Sequence, residues 1–137
     1  MPDNHLLLRA LRLNAIFSAT SAVMLVLAGR WLATQLGLAS TIPVYVTAAL
    51  LALFALQLGN IVRTGEIRTL EIAGIIAGDL AWVIGSVVLV ALYYTSITAI
   101  GLLLVDAVAF GVLYLAIQQF RGLRKITTES SRLPFSR

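Results

Sequence analysis

The chain has 137 residues, of which 60% are hydrophobic and only 12% are charged. It contains no cysteine and a single histidine, His5, so disulfides, iron–sulfur clusters and histidine-based metal or haem sites are not expected. The net charge is +4, but the basic residues flank apolar segments, which indicates membrane orientation signals and argues against nucleic-acid binding.

Four apolar segments account for most of the chain. Each is about 20 residues long, which as an α-helix covers roughly 30 Å of hydrocarbon, and lipid requires every backbone polar group to be satisfied internally. The sequence therefore predicts an all-α, polytopic membrane protein, a single four-transmembrane-helix bundle over residues 1–137. The predicted spans are residues 10–29, 41–61, 70–92 and 97–118, followed by a basic cytoplasmic tail at residues 119–137.

The first span admits two interpretations. A signal peptide has basic residues, then an apolar run, then a cleavage site after a small residue. This segment has the same order, with Arg9 and Arg12 at its start and a small residue at the end of segment 26–28. Asn14 and Ser18 make the run more polar than such peptides usually are, which favours a retained span.

The basic residues predict the orientation. Nine of the ten lie on one side of the predicted bundle and only Arg30 lies on the other, so the positive-inside rule places both termini in the cytoplasm. Aromatic residues at the predicted outer ends (Trp31, Tyr45, Tyr93 and Tyr94) favour the same orientation, because their rings prefer the headgroup level. The nine are Arg9, Arg12, Arg63, Arg68, Arg121, Arg124, Lys125, Arg132 and Arg137.

The first and third spans share a pattern at an offset of 65 residues. Each has an amide or an acid, an aromatic residue three positions later and a serine four positions after that, all on one helical face. Two similar hairpins predict a duplication, and an even number of spans per unit makes it a parallel repeat with a pseudo-twofold axis along the membrane normal. The aligned positions are Asn14 with Asp79, Phe17 with Trp82, and Ser21 with Ser86.

Residues 11–18 and 79–86 resemble stretches of small four-span bacterial membrane proteins that are loosely similar to DoxX-like proteins. The resemblance extends over most of the chain and implies a bundle in the bacterial inner (plasma) membrane. It implies no active residues that can be transferred to this sequence.

Two acids lie inside apolar spans. Asp79 and Asp106 are each about nine residues from the side where their span enters, which places both roughly 12–15 Å deep. An ionised Asp at the bilayer centre costs about 2.5–3.5 kcal/mol, so we expect both carboxyls to face the bundle interior, near one another, and to be protonated. We expect Asn14, Ser21 and Gln57 to supply uncharged hydrogen-bonding partners.

Trp82, three residues after Asp79, is deeper than an interfacial tryptophan. It is predicted either to pack within the bundle or to form a wall of a ligand pocket, with its indole N–H donated to Asp79 or to a helix carbonyl. Small residues, above all Gly74 and Gly78, predict close helix contacts. Because the third span has the most of them, we expect it to be the most enclosed helix.

Two functions remain open at this stage. If the two acids titrate within the membrane, they favour proton-linked binding or transport of a small lipophilic or cationic solute. Otherwise they are protonated structural residues that only hydrogen-bond neighbouring helices. The outline is similar to small multidrug transporters, although their membrane glutamate lies in the first span, where this chain has Asn14. The alternative is an accessory or assembly subunit of a larger membrane complex, docked through the small residues. The expected partners are the lipid bilayer and either a second copy or a larger membrane complex; no enzymatic activity, cofactor or metal is expected.

Overall fold

The computed structural model describes residues 5–130, and this part of the chain is all-helical. Each of the four helices is long and apolar enough to cross a membrane, as the sequence predicts. Arg132 and Arg137, two of the residues used to predict orientation, lie outside the described residues. The helices are α1 (His5–Gln35), α2 (Ile42–Thr64), α3 (Thr69–Tyr93) and α4 (Ala99–Ser130).

The first and last helices are longer than the apolar spans they contain. α1 has 31 residues and α4 has 32, so each is roughly 45–50 Å long and exceeds the hydrocarbon thickness. α4 continues without a break through residues 119–130, which the sequence assigned to a tail. Gln119 is therefore a helical residue on the same element as the apolar fourth span.

Glycines shape the turns at both ends of the bundle. Gly65 ends α2 in the left-handed region (φ 68°), and its N–H donates to the Ile61 carbonyl at 2.9 Å. Gly37 follows α1 with φ 69°, and a Cβ there would lie only 2.6 Å from Ser96. The α1–α2 and α3–α4 turns thus pack directly on each other at the predicted outer end.

The helices form an open arrangement. α1 packs against α2 and α4, and α3 packs against α4, whereas the backbones of α2 and α3 do not approach each other. The predicted repeat is not confirmed. A twofold axis would make the α2–α3 pair equivalent to the α1–α4 pair, but of these two pairs α1–α4 is closely packed and α2–α3 is not. The α2–α3 side is the open side of the bundle.

Three glycines of α4 set its distance from α1. They are ten and eleven residues apart in sequence, about three turns, so they follow one face of the helix. A Cβ at any of them would lie 3.3 Å or less from an atom of α1. Small residues allow such close helix packing where no hydrophobic effect drives association. The facing pairs are Gly101 with Gln35, Gly111 with Phe17 and Gly122 with Leu7.

The prediction that the third span is the most enclosed helix is wrong. α3 has the smallest buried share of the four helices. Gly74 and Gly78 are both exposed, and a Cβ at Gly74 would meet nothing within 4 Å. The small residues lie open because α3 has only α4 as a close backbone neighbour.

An apolar core fills the end of the bundle next to the α2–α3 turn, the predicted cytoplasmic end. Its seven side chains come from α1, α2 and α3, and Leu123 and Ile126 of α4 pack against them. This core joins α2 to α3 through side chains although their backbones stay apart, and it closes the bundle interior on that side. The seven residues are Leu7, Leu11, Leu58, Ile61, Ile72, Ile75 and Ile76.

Candidate ligand site at the centre of the bundle

Four buried polar residues from three helices form one hydrogen-bonded cluster. Asn14 Nδ2 donates to Asp79 Oδ2 at 2.7 Å, and Gln119 Nε2 donates to the same oxygen at 3.1 Å. Ser18 Oγ donates to Asn14 Oδ1 at 3.3 Å. The exposed fraction of these residues is between 0% and 4%. The cluster therefore holds α1, α3 and α4 together around a single carboxyl group.

Helical spacing brings these side chains to the interior. Asn14 and Ser18 are four residues apart and share the buried face of α1. On α3, Asp79 lies three residues after Ile76, which belongs to the apolar core. Gln119 is likewise three residues after the buried Ala116 on α4. Each polar residue continues a buried row of its own helix.

No cation faces Asp79. Among the side chains of residues 5–128, the only ion pairs join Arg68 to Glu66 and Glu71, at 3.8 Å and 3.7 Å, on residues around the α2–α3 turn. Arg12, the basic residue nearest in predicted depth, is exposed on α1. The donors that α1 and α4 present to Asp79 are the side-chain amides of Asn14 and Gln119, so its carboxyl has only uncharged partners in the described part of the chain.

A cavity of about 210 Å³ adjoins Asp79. The lining residues of α2 and α4 are all apolar. Its polar side chains are Ser18 and Ser21 of α1, and Asp79 and the indole of Trp82 on α3. Asp79 Oδ1, the second carboxyl oxygen, accepts no hydrogen bond from any described residue. The lining residues are Phe17, Ser18, Ser21, Leu50, Leu51, Phe54, Gly78, Asp79, Trp82, Val108 and Val112.

The cavity opens between α2 and α3. Leu50 on the α2 side is 59% exposed, and Gly78 on the α3 side is exposed as well. Leu50 is eight residues into α2 and Gly78 is nine residues into α3, each about 12–14 Å from the end of its helix. The opening therefore lies near the middle of α2 and α3 and faces sideways.

Three aromatic residues line the cavity beside Asp79: Phe17, Phe54 and Trp82. The Trp82 indole N–H is buried and has no acceptor among the described residues, so the expected hydrogen bond to Asp79 or to a helix carbonyl is absent there. The second buried atom without a partner in this region is Gln119 Oε1. An unmade buried hydrogen bond costs about 1–3 kcal/mol, so both atoms mark places where a further partner would stabilise the site.

The predicted pair of acids does not exist. Asp106 is exposed on the outer surface of α4, on the side that carries the exposed Leu103 and Phe110. It lies thirteen residues before Gln119, or about 20 Å along the helix axis, whereas Gln119 contacts Asp79 directly. Val108, two residues on, takes the inward position instead.

The structure also corrects the expected amide partner. Gln57 is exposed on α2 and makes no hydrogen bond in the described structure, because Phe54 and Leu58 occupy the inward positions of that turn. Gln119 performs the role assigned to Gln57. The sequence did contain a signal for Gln119: it lies seven residues after Val112, a spacing that puts both on one face of a helix. The predicted span ended at Gln118, so Gln119 was left out.

The remaining predicted residues are near the carboxyl in different ways. Asn14 binds it directly, Trp82 forms a wall of the cavity, and Ser21 lines the cavity without bonding to Asp79. Ser18, one turn before Ser21 on the same face, is the serine that joins the hydrogen-bonded cluster.

Between residues 5 and 128 no three His, Asp or Glu side chains converge in a way that would hold a metal ion. The chain matches no protein-family model, no curated protein and no solved structure.

Proposed function

We propose that the central cavity binds a small lipophilic cation, with Asp79 as its counter-charge, and that Asp79 gives up a proton when the cation binds. The observation that carries this proposal is a buried carboxyl, compensated only by uncharged donors, that faces a cavity lined by three aromatic rings.

The site is chemically suited to a cation. An ionised carboxylate in a membrane interior requires a positive partner, and no residue of α1, α2 or α4 in the described structure supplies one to Asp79. A cation in the cavity provides that partner, and Asp79 Oδ1 is free to contact it. The rings of Phe17, Phe54 and Trp82 add cation–π attraction, which is strongest at desolvated sites.

The same cluster serves the empty site. Without a cation, the carboxyl avoids the cost of an unpaired charge by keeping its proton. The amide of Gln119 carries both a donor and an acceptor, so it can donate to the carboxylate or accept the proton of the neutral acid through Oε1. Binding then exchanges a proton for the cation, as a proton-linked carrier requires.

The shape of the cavity favours a solute that arrives from the bilayer. The apolar core fills one end of the bundle, and at the other end the α1–α2 and α3–α4 turns pack on each other at Gly37 and Ser96. The opening at Leu50 and Gly78 faces sideways near the middle of α2 and α3. With about 210 Å³, the cavity is smaller than the roughly 300 Å³ at the lower end of drug-sized pockets, so a compact ammonium ion suits it best.

Tryptophan fluorescence tests the proposal. The chain has two tryptophans, and Trp31→Phe leaves Trp82, which lines the cavity, as the only reporter. We expect tetraethylammonium to change Trp82 emission saturably, and the larger tetraphenylphosphonium to bind more weakly. Asp79→Asn should abolish binding, whereas the matched control Asp106→Asn, on the outer surface, should not. Equal binding by the parent and by Asp79→Asn would contradict the proposal.

The role as an accessory or assembly subunit is the second candidate, and the open face of α3 favours it. Gly74, Ala77 and Gly85 are exposed there, and a Cβ at Gly74 or at Gly85 would meet nothing within 4 Å. Such a face can receive a helix of another subunit. Purification in mild detergent followed by mass analysis distinguishes the candidates, since an accessory subunit is expected to co-purify with larger membrane proteins.

A further inference from the structure

Asp106 is a polar group on a surface that otherwise faces lipid. It is exposed, and it has neither a hydrogen bond nor an ion pair with any described residue. It lies seven residues into α4, about 10 Å from the predicted outer end of the helix. The side chain of Asp is too short to reach the headgroups from that depth, unlike the long side chains of Lys and Arg. The isolated chain therefore leaves a carboxyl in hydrocarbon.

The chemistry of the missing partner can be specified. Polar groups within a membrane are expected to pair with one another or with backbone carbonyls. A protonated carboxyl is both a donor and an acceptor, so a second protonated carboxyl satisfies it completely. Within residues 5–128 the nearest acid in an apolar stretch of helix is Asp79, and it is about 20 Å away along the axis.

Symmetry supplies the second carboxyl. Two copies inserted with the same orientation can be related by a twofold axis along the membrane normal, and that axis places identical residues at identical depth. Asp106 of one copy then meets Asp106 of the other without any shift of either chain. In a twofold interface each group meets its own copy, so the group must be able to bind itself. A protonated carboxyl can do this, because it both donates and accepts a hydrogen bond.

The residues around Asp106 are suited to a helix interface. Leu103 and Phe110, on the same side of α4, are 69% and 71% exposed, so they offer apolar packing area. Ala107 is exposed beside Asp106, and its small side chain lets two helices approach closely. We infer that the chain forms a twofold homodimer through this face of α4, with the two Asp106 carboxyls hydrogen-bonded to each other.

Cysteine crosslinking locates the interface, because the chain has no cysteine of its own. Leu103→Cys and Phe110→Cys flank Asp106 by one turn and retain it, and each should form a disulfide-linked dimer on mild oxidation in membranes. Leu27→Cys is the matched control: Leu27 is 78% exposed on α1 and lies near the level of Asp106 in the antiparallel α1–α4 pair. Crosslinking through Leu27→Cys, with none through the other two, would overturn the inference.

Substitution of Asp106 tests the chemistry. Asn remains self-complementary, so Asp106→Asn should dimerise nearly as well as the parent in a fluorescence energy-transfer dilution series. Asp106→Leu removes the hydrogen bonds while suiting lipid, so it should insert normally and weaken the dimer about tenfold. A monomeric parent, or a different protein bound at this face, would contradict the inference. Loss of the dimer in Arg30→Gln would also do so, because Arg30 would then be the partner of Asp106.

The dimer and the cation site are separate claims. The cavity is lined by residues of a single chain, so failure of dimerisation leaves cation binding by Trp82 fluorescence unaffected. Conversely, Asp79→Asn should remove cation binding and leave crosslinking at Leu103→Cys intact.

Discussion

Asn14 donates a hydrogen bond of 2.7 Å to Asp79, and these residues occupy the same position in the two predicted hairpins. The hydrogen bond joins α1 to α3, whose backbones are not in close contact. On the α2–α3 side the helices stay apart, and this is where the cavity opens. The polar cluster thus lies at the boundary between a closely packed half of the bundle and an open half.

Substitutions at Asp79 should separate hydrogen bonding from charge. In Asp79→Asn the side-chain oxygen can still accept from Asn14 and from Gln119, so the free energy of unfolding should change little. Asp79→Leu leaves both donors without a partner and should cost about 1–3 kcal/mol. Unfolding in mixed detergents, followed by near-UV circular dichroism, measures the difference. If the Asn variant proves as unstable as the Leu variant, the fold depends on an ionised Asp79.

The opening of the cavity can be blocked without touching the carboxyl. A Cβ at Gly78 would lie 3.9 Å from Phe54 Cε2, across the gap between α3 and α2. Gly78→Leu should therefore fill the opening and weaken tetraethylammonium binding by about tenfold or more. A Cβ at Gly74, one turn away on the same helix, would meet nothing within 4 Å, so Gly74→Leu is the matched control. Unchanged binding in Gly78→Leu would show that cations enter by another route.

The glycine contacts between α1 and α4 predict a sharp dependence of stability on one methyl group. A Cβ at Gly101 would overlap the carbonyl oxygen of Gln35. Gly101→Ala should force the helices apart and lower the free energy of unfolding by about 1–3 kcal/mol. Gly85→Ala adds the same methyl group where nothing lies within 4 Å, so it should be neutral or slightly stabilising. Equal stability of the two variants in thermal unfolding would argue against the close α1–α4 contact.

The orientation predicted from the basic residues can be tested with single cysteines in the turns. Ser40→Cys and Thr95→Cys should react with an impermeant maleimide in right-side-out vesicles, because both exposed positions lie in turns on the predicted outer side. Glu66→Cys, in the exposed α2–α3 turn, should react only after the vesicles are opened. The reverse labelling pattern would invert the orientation.

The length and apolarity of the segments were sufficient to predict four helices, because lipid permits few other ways of spanning it. They were not sufficient to predict how each helix is rotated. In a soluble helix the polar face marks the outside, but a helix in lipid is apolar all round. For this reason Asp106 was predicted to face the bundle interior, whereas the structure exposes it. For the same reason Gln57 was predicted to be an amide partner of the acids, whereas Gln119 has that role.

Part of the site was nevertheless accessible from the sequence. Asn14 and Asp79 were identified because a polar residue deep in an apolar span requires a partner, and the structure pairs them. Ser18 and Gln119 depend on the rotation of α1 and on the length of α4, which hydropathy does not report. The cavity itself arises from the separation of α2 and α3, which no local pattern encodes.

Proton release on cation binding tests whether Asp79 exchanges a proton for the ligand. In weakly buffered detergent solution near neutral pH, tetraethylammonium should displace about one proton per bound cation from the parent protein and from Asp106→Asn. The cation affinity should rise with pH, because the proton competes with the cation for Asp79, and should level off once the empty site has lost its proton. Asp79→Asn should release none. Saturable binding by the parent without proton release, or the same release from Asp79→Asn, would contradict proton-linked binding at this carboxyl.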